Sequence, residues 1–478
     1  MVNMLGRTET LAKMERGFYP RNVAVIGAAR HNQHRWLKAH LAFHKSHGEV
    51  FHVNIDEAEW DGATELGVKN FHSILDIEEP VDYVTIAVPR KVVPRLIDEC
   101  IRKDVSVVHI FTAGFEESGE EEGIRLDREI SEMARKAGLL IIGPNCLGLF
   151  NPAVGIRHNE NEYHGETGHF AYISQSGSMA SGMVMESNAC GVKMSKCISM
   201  GNGMVLDVPD YLDYLAEDSE TEVIGMYLEG LRNPGRFFQS LQNASSKKPV
   251  LVWKVGKTED AARATAAHTG TPYIREDIWD SLINRCGAIQ IDSQDEMIDA
   301  VKSLAHLTPV GGYNVGLLAG SGGHSTDMAN VFSKAGFKVA PLTERSYQEL
   351  GSFFNMIGGN YVNPIQGSRE HHDRIIDILS KDENLDMVVV ELAGQALSSN
   401  SKFFDERIEI IKKAQVESKK PIAVIIYPSF PRLEPSAREA IDKRFNQEGI
   451  PAFHSFASGA MALRKSVDRY ILDRYLGG

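Results

Sequence analysis

Four short apolar runs in the first third of the chain share one plan. Residues 22–30 (NVAVIGAAR), 81–89 (VDYVTIAVP), 105–114 (VSVVHIFTAG) and 139–145 (LLIIGPN) are continuous, β-branched stretches, and each ends in a Gly or Pro loop. Between them lie stretches of helical periodicity, such as 90–104 (RKVVPRLIDECIRKD) and 120–138 (EEEGIRLDREISEMARKAG). A run without polar alternation predicts a strand buried on both faces, and strands separated by helices predict a parallel sheet. Sheets of this kind bind ligands beyond the carboxyl ends of their strands, which is where the Gly and Pro loops fall.

The same unit recurs twice. Residues 168–191 (GHFAYISQSGSMASGMVMESNACG) predict a strand, a Ser/Gly turn and a helix, and 196–218 repeat the pattern. Residues 221–231 (TEVIGMYLEGL) and 248–256 (KPVLVWKVG) are two more strands, and 286–307 close the second cycle with a strand and a helix. After a linker near residue 310 (TPVGGYN), a third cycle opens with NVGLLAGSGGHSTD and continues through MVVVELAG and PIAVIIYPS. The expected architecture is α/β: a Rossmann-like domain over residues 1–150, then two doubly wound domains over 151–307 and 308–478.

Composition sets limits on function. The 478 residues suit three domains, and 43% hydrophobic with 24% charged residues is ordinary for a globular chain. A net charge of -13 argues against non-specific nucleic-acid binding, which needs basic surface to displace counterions. An anionic ligand remains compatible, because backbone dipoles bind phosphate locally. The five cysteines have no CxxC spacing, so neither a disulfide framework nor a metal site is expected, and a reducing cytoplasm fits. No signal-like apolar run opens the sequence and no stretch is long enough to cross a bilayer, so no membrane association is expected.

The candidate chemistry lies in the loops. Gly27, Ala28, Ala29 and Arg30 lack the further glycines of a dinucleotide fingerprint; the turn suits a diphosphate-bearing ligand or is a plain βα connection. Ser174, Gln175, Ser176, Gly177 and Ser178 separate a strand from a helix, and Gly320, Ser321, Gly322, Gly323 and His324 repeat the arrangement. Each turn offers N–H groups and a helix dipole to an anion, although Ser and Gly also favour ordinary N-caps. Glu229 ends an apolar strand, and His268 lies in the small-residue loop ATAAHTGTPY. Alone, they read as a surface carboxylate and a turn histidine; together, they form a pair in which a carboxylate fixes an imidazole tautomer. No GxxxxGK[ST], GxSxG, HExxH or EF-hand pattern is present.

Taken together, TAGFEESG, IGPNCLGLFN, SQSGSM, MGNGMVLDVPDYLDYLAED, YLEG and KPVLVWKVGKTEDAARATAAHTG resemble, in order, the NDP-forming acyl-CoA synthetases, relatives of succinyl-CoA synthetase. The resemblance covers almost the whole chain, with AGSGGHS and NPIQG as looser matches. It implies that both later domains are flavodoxin-like and that acyl-CoA, phosphate and NDP are interconverted with carboxylic acid, CoA and NTP. An acyl phosphate and a phosphohistidine are the implied intermediates. His268 would carry the phosphoryl group, Glu229 would orient it, and the two Gly/Ser helix N-termini would stabilise it. Coenzyme A would lie near Gly27, Ala28, Ala29, Arg30, Val88, Pro89, Thr112, Ala113, Gly114, Pro144 and Asn145.

The ATP-grasp module of that family is not evident in the sequence. The resemblance is therefore to an α subunit, with nucleotide and Mg2+ on an ATP-grasp β subunit, in an α2β2 assembly. A nucleotide-independent acyl- or carbamoyl-transferase and a non-catalytic CoA-binding protein are the alternatives. Three positions depart from the family pattern. Ala267 stands where Ser usually precedes the histidine, with Pro272 and Tyr273 after it. Gly322-Gly323-His324-Ser325 replaces Gly-Gly-Pro-Gly, and Asn363-Pro364-Ile365-Gln366 replaces Asn-Pro-Val-Asp. These changes leave the resemblance to a CoA ligase standing, count against acetate as the acid and leave the acid substrate otherwise open.

Overall fold

The computed structural model describes residues 6–258, 260–261, 263, 276–307, 310–353, 362–367, 369–427 and 433–476. Among these residues the strands form three sheets. The first contains β1 (Val23–Ile26), β2 (Val50–Val53), β3 (Lys69–Phe71), β4 (Tyr83–Ile86), β5 (Val107–Ile110) and β6 (Leu140–Ile142). Its order is β3-β2-β1-β4-β5-β6 with every pair parallel, the Rossmann arrangement.

Alternate residues explain why these strands read as unbroken apolar runs. Val23, Val25, Tyr83 and Val107 enter one core, while Ala24, Ile26, Val84, Ile86, Val108 and Ile110 enter another on the opposite face. The helix Val93–Arg102 buries Val93, Leu96, Ile97 and Cys100, the one-sided spacing that covers a sheet.

The second sheet comprises β7 (Gly148–Phe150), β8 (Phe170–Ser174), β9 (Met194–Ser199), β10 (Val223–Leu228), β11 (Val250–Lys254) and β12 (Ile289–Ile291). Its order is β12-β11-β10-β8-β9-β7, with β7 antiparallel to β9. Apart from β7, this is a flavodoxin-like winding. One apolar cluster joins the two sheets, running from Val23 and Leu140 to Ala171, Ile173, Ile224 and Met226. Both sheets accordingly belong to one compact unit, Met1–Asn188 with Lys193–Asp292.

The other unit, Ala189–Val192 with Ser293–Gly478, contains β13 (Val315–Ala319), β14 (Ile365–Gln366), β15 (Met387–Ala393), β16 (Ile422–Tyr427) and β17 (Ala452–Phe453). The order β14-β13-β15-β16-β17, all parallel, is again flavodoxin-like. The architecture expected from the sequence, a Rossmann-like sheet followed by two flavodoxin-like sheets, is present. No helix among the described residues is long and apolar enough to cross a membrane.

Candidate active site

The carboxyl ends of β1, β4, β5 and β6 gather the loops singled out in the sequence. Gly27 has a φ of +88°, and a Cβ there would lie 2.4 Å from the Val88 side chain and 2.6 Å from the Ala87 carbonyl oxygen. Only glycine lets the first turn approach the fourth strand so closely. Thr112 Oγ1 donates to the Val88 carbonyl at 2.6 Å, and the Asn145 N–H donates to the Thr112 carbonyl at 3.1 Å. Arg90, beside Pro89, donates to the Gly114 carbonyl at 2.6 Å. Pro144 follows a cis peptide bond after Gly143, and Asn145 adopts a left-handed conformation.

The first turn itself is largely satisfied by protein. The Gly27 N–H donates to the Val53 carbonyl at 3.1 Å and the Ala29 N–H to Asn32 Oδ1 at 3.2 Å. The Arg30 N–H donates to Glu59 Oε2 at 2.6 Å, and its guanidinium pairs with the same carboxylate. Arg30 is thus directed at Glu59. Beside the turn opens a cleft of about 420 Å³ lined by His31, Asn32, Gln33, Arg35, Asn159 and Asn161, among others. Arg35, not foreseen from the sequence, stacks its guanidinium 5.1 Å from the Trp36 ring and 5.7 Å from the Phe111 ring. Phe111 also lines a second cleft of about 270 Å³ with Ala113, Asn145, Cys146, Leu147 and Gly177. Strand-end loops of the first sheet and the helix N-terminus of the second therefore share one cavity. Burial pushes the Cys146 thiol up to about 12, so it is a protonated wall rather than a nucleophile.

Two polar ties hold this edge. Glu117 accepts from the Gly114 N–H at 2.6 Å and the Phe115 N–H at 3.1 Å, and Asn202, in the loop after β9, donates to it at 2.5 Å. Asn202 Oδ1 in turn lies 3.5 Å from Asn145 Nδ2. Neither Glu117 nor Asn202 was singled out as a site residue from the sequence, because the contact that joins them spans 85 positions.

The turn after β8 is tied to the backbone of the strand-end residues Glu229 and Gly230. Ser174, buried, donates to the Ser176 carbonyl at 2.7 Å, and the Ser176 hydroxyl lies 3.1 Å from Ser178 Oγ at the start of the helix Gly177–Ala189. Gln175 reaches across to β10. Its Oε1 accepts from the Glu229 N–H at 2.5 Å and the Gly230 N–H at 2.9 Å, while its Nε2 donates to the Gly230 carbonyl at 2.9 Å. Glu229 is only 6% exposed. Lys254, ending β11, donates to the Glu229 carbonyl at 3.0 Å. Burial pushes its ammonium down to about 8 against the opposing pull of Glu229, and Lys257 adds to the fall. Burial first and the Glu229 carboxylate second push the neighbouring Tyr227 phenol up to about 12. His268, expected as the partner of Glu229, lies outside the described residues.

In the third sheet, the Gly320 N–H donates to Glu391 Oε2 at 2.9 Å. Ser321 caps the helix Gly322–Lys334 by accepting from the His324 N–H at 3.3 Å. His324 Nδ1 lies 2.7 Å from Glu391 Oε1, a pairing the sequence did not announce. Gly322 and Gly323 supply the first N–H groups of that helix, which have no intrahelical acceptors.

Comparison with known proteins agrees with this arrangement. Residues 21–152 match a CoA binding domain, and residues 167–304 match a succinyl-CoA ligase like flavodoxin domain. The chain is 32% identical to the alpha subunit of ADP-forming acetate–CoA ligase II from Pyrococcus furiosus, covering 93% of this chain and 96% of that one. It is 34% identical to ADP-forming acetate–CoA ligase I from Archaeoglobus fulgidus over 80% of its own length, and spans 55% of that protein. Among solved structures, the dinucleotide forming acetyl-coenzyme A synthetase 1 of Ca. Korarchaeum cryptofilum, in complex with phosphate and ADP, superposes with a TM-score of 0.80 at 26% identity, covering 97% of both chains. With its Rossmann-like and flavodoxin-like sheets and the loops that gather at their edges, the chain belongs to the ADP-forming acetate–CoA ligase family.

Proposed function

We propose that the chain acts as the α subunit of an NDP-forming acid–CoA ligase, with the domain scheme 1–150, 151–307 and 308–478. Inorganic phosphate attacks the acyl-CoA carbonyl carbon, the C–S bond breaks, and acyl phosphate and CoA result. His268 then displaces the carboxylate at phosphorus, and its phosphoryl group passes to NDP. The reverse sequence makes acyl-CoA at the expense of NTP. A transferring phosphoryl group needs positioned donors and dipoles more than covalent assistance. The Ser174–Ser178 turn suits that task, with Glu229 orienting the imidazole.

Coenzyme A is a substrate in this reading. The shared cavity beside Ala113 and Asn145, the cleft beside Arg35, and the close approach at Gly27 fit a long thioester lying across the strand ends. Nucleotide and Mg2+ are assigned to an ATP-grasp β subunit in an α2β2 assembly, and the reaction to the cytoplasm.

The observation that carries the reading is the three-bond attachment of Gln175 to Glu229 and Gly230 beside a cavity reaching the first-sheet loops. The test is incubation of the chain with [32P]phosphate and a panel of acyl-CoAs. An acyl-CoA-dependent, acid-labile label on His268 is expected. Absence of label on residue 268 with every acyl-CoA overturns the proposal.

A further inference from the structure

We propose that His324 is a second phosphoryl acceptor, its Nε2 taking the phosphoryl group of an acyl phosphate while Glu391 holds Nδ1. The supply of acyl phosphate rests on the function proposed above; the geometry that receives it does not.

The pair is built rather than incidental. Glu391 is 6% exposed and both its oxygens are engaged, one by the Gly320 N–H at 2.9 Å and one by the imidazole at 2.7 Å. A carboxylate held at both oxygens has one orientation, and it directs the imidazole. The Tyr427 ring lies over the imidazole, with centroids 3.8 Å apart, and Phe456 meets it edge-on at 6.2 Å. The imidazole is thus fixed by a hydrogen bond at one nitrogen and by ring contacts on its flanks.

Such fixing sets the tautomer. A neutral imidazole that donates its Nδ1 proton to Glu391 keeps its nucleophilic lone pair on Nε2. Among the described residues Nε2 has no hydrogen-bond partner, and the side chain is 30% exposed. A histidine recruited only to brace the fold has no need to leave its second nitrogen open. The space around it is also open. A Cβ at Gly323 would meet nothing within 4 Å, and one at Gly322 would meet only Gln366 Oε1, at 3.3 Å. The N–H groups of Gly322 and Gly323 begin the same helix turn, where an anion is favoured. Nucleophile, orienting carboxylate and anion donors thus come from one strand–turn–helix unit and its neighbouring strand.

The step balances as follows. The Nε2 lone pair forms an N–P bond as the bond from phosphorus to the acyl oxygen breaks. That electron pair leaves with the carboxylate. Nδ1 keeps its proton, and the ring's positive charge is shared between the adjoining phosphoryl group and Glu391.

The test uses the full chain and acetyl [32P]phosphate, which supplies the donor directly. Wild type, His268→Ala, His324→Gln, the double substitution and Glu391→Gln are compared, with labelled sites mapped by mass spectrometry and folding checked by circular dichroism. In His268→Ala, an acid-labile and alkali-stable label on residue 324 is expected, with the 31P resonance of an Nε2-phosphoimidazole, and it disappears in the double substitution. Glu391→Gln lowers its rate of formation by roughly 10²-fold. Absence of label on residue 324 in His268→Ala overturns the proposal. So does an unchanged rate in Glu391→Gln, or an equal rate in the urea-unfolded chain. Label on residue 268 alone leaves the function proposed above standing, whereas label on neither residue removes both.

Discussion

Replacing Gln175 by Ala tests whether the turn after β8 positions Glu229 or merely sits beside it. The substitution removes two N–H donations into Oε1, at 2.5 and 2.9 Å, and one donation from Nε2, at 2.9 Å. Each such bond contributes about 1 kcal/mol net, so the sum is about 3 kcal/mol. Gln175 is half-buried, so water can satisfy part of what Ala leaves open, and about 2 kcal/mol is the lower bound. Gln175→Leu fills the space and excludes that water, so it costs more than Ala. Catalysis responds separately. The Glu229 N–H is one of the three anchors, and a displacement of about 1 Å at a positioning group costs roughly 10²-fold in rate. Urea unfolding reads the first effect, and rapid-quench labelling of His268 from acyl-CoA and [32P]phosphate reads the second. A wild-type unfolding midpoint in Gln175→Ala refutes the stability argument. A lowered midpoint with a wild-type labelling rate refutes the positioning argument.

Three further outcomes follow from the same edge. Lys254 is charged in both folded and unfolded chains below pH about 8, where its burial opposes folding; from about 8 to its ordinary 10.5 only the unfolded chain keeps the proton, so stability contributed at this site rises with pH. Lys254→Met is expected to flatten that rise in urea midpoints, and an identical pH profile would refute the assignment. Gly27→Ala combines a left-handed φ of +88° with a contact of 2.4 Å to Val88, and is expected to cost about 2–4 kcal/mol in urea unfolding. Arg35→Ala is expected to raise KM for CoA roughly tenfold with little change in kcat, the loss of one charge-assisted contact, as measured by steady-state kinetics.

What could be read from the sequence was the part governed by local pattern. Strands buried on both faces announce themselves as β-branched runs, and β1, β4, β5 and β6 do so. β2 was not singled out, because His52 interrupts its apolar run; that ring is buried and bonded to Asn70 and the Ala28 carbonyl. β7, β14 and β17 have two or three residues each, too few for a period to show. Glu229 drew attention because it is a charge at the end of an apolar strand. Lys254 satisfies the same rule on β11 and was passed over. Arg30 was expected at the cofactor; its N–H donates to Glu59 and its guanidinium pairs with the same carboxylate, a contact between residues 29 positions apart that no local pattern shows. Glu117 and Asn202 meet across 85 positions, a contact that belongs to topology alone. Likewise Glu391 lies inside an apolar strand, and only the sheet order brings it beside Gly320.

Register explains why the two flavodoxin-like sheets treat their carboxylates differently. Ser174, the last residue of β8, pairs with Tyr227, so Glu229 stands two positions beyond, past the end of β10. Leu318 pairs with Val390, so Ala319, the last residue of β13, falls beside Glu391. Each helix begins three residues after its strand ends, at Gly177 and Gly322. Glu391 therefore occupies the position of Tyr227, one side-chain step, about 7 Å, deeper in the sheet than Glu229. Two-residue spacing keeps both positions on the same face. At the deeper position a residue in the first turn of the following helix can reach the carboxylate, and His324 does. Its counterpart after β8, five residues beyond the strand end, is Met179, whose thioether donates no hydrogen bond. An imidazole partner for Glu229 must then come from another segment, and the proposal that His268 fills this role meets that requirement. An imidazole introduced as Met179→His would have to reach outward rather than inward to meet Glu229. It should therefore leave residue 179 unlabelled in a His268→Ala chain, and label on residue 179 would show that the register argument is mistaken.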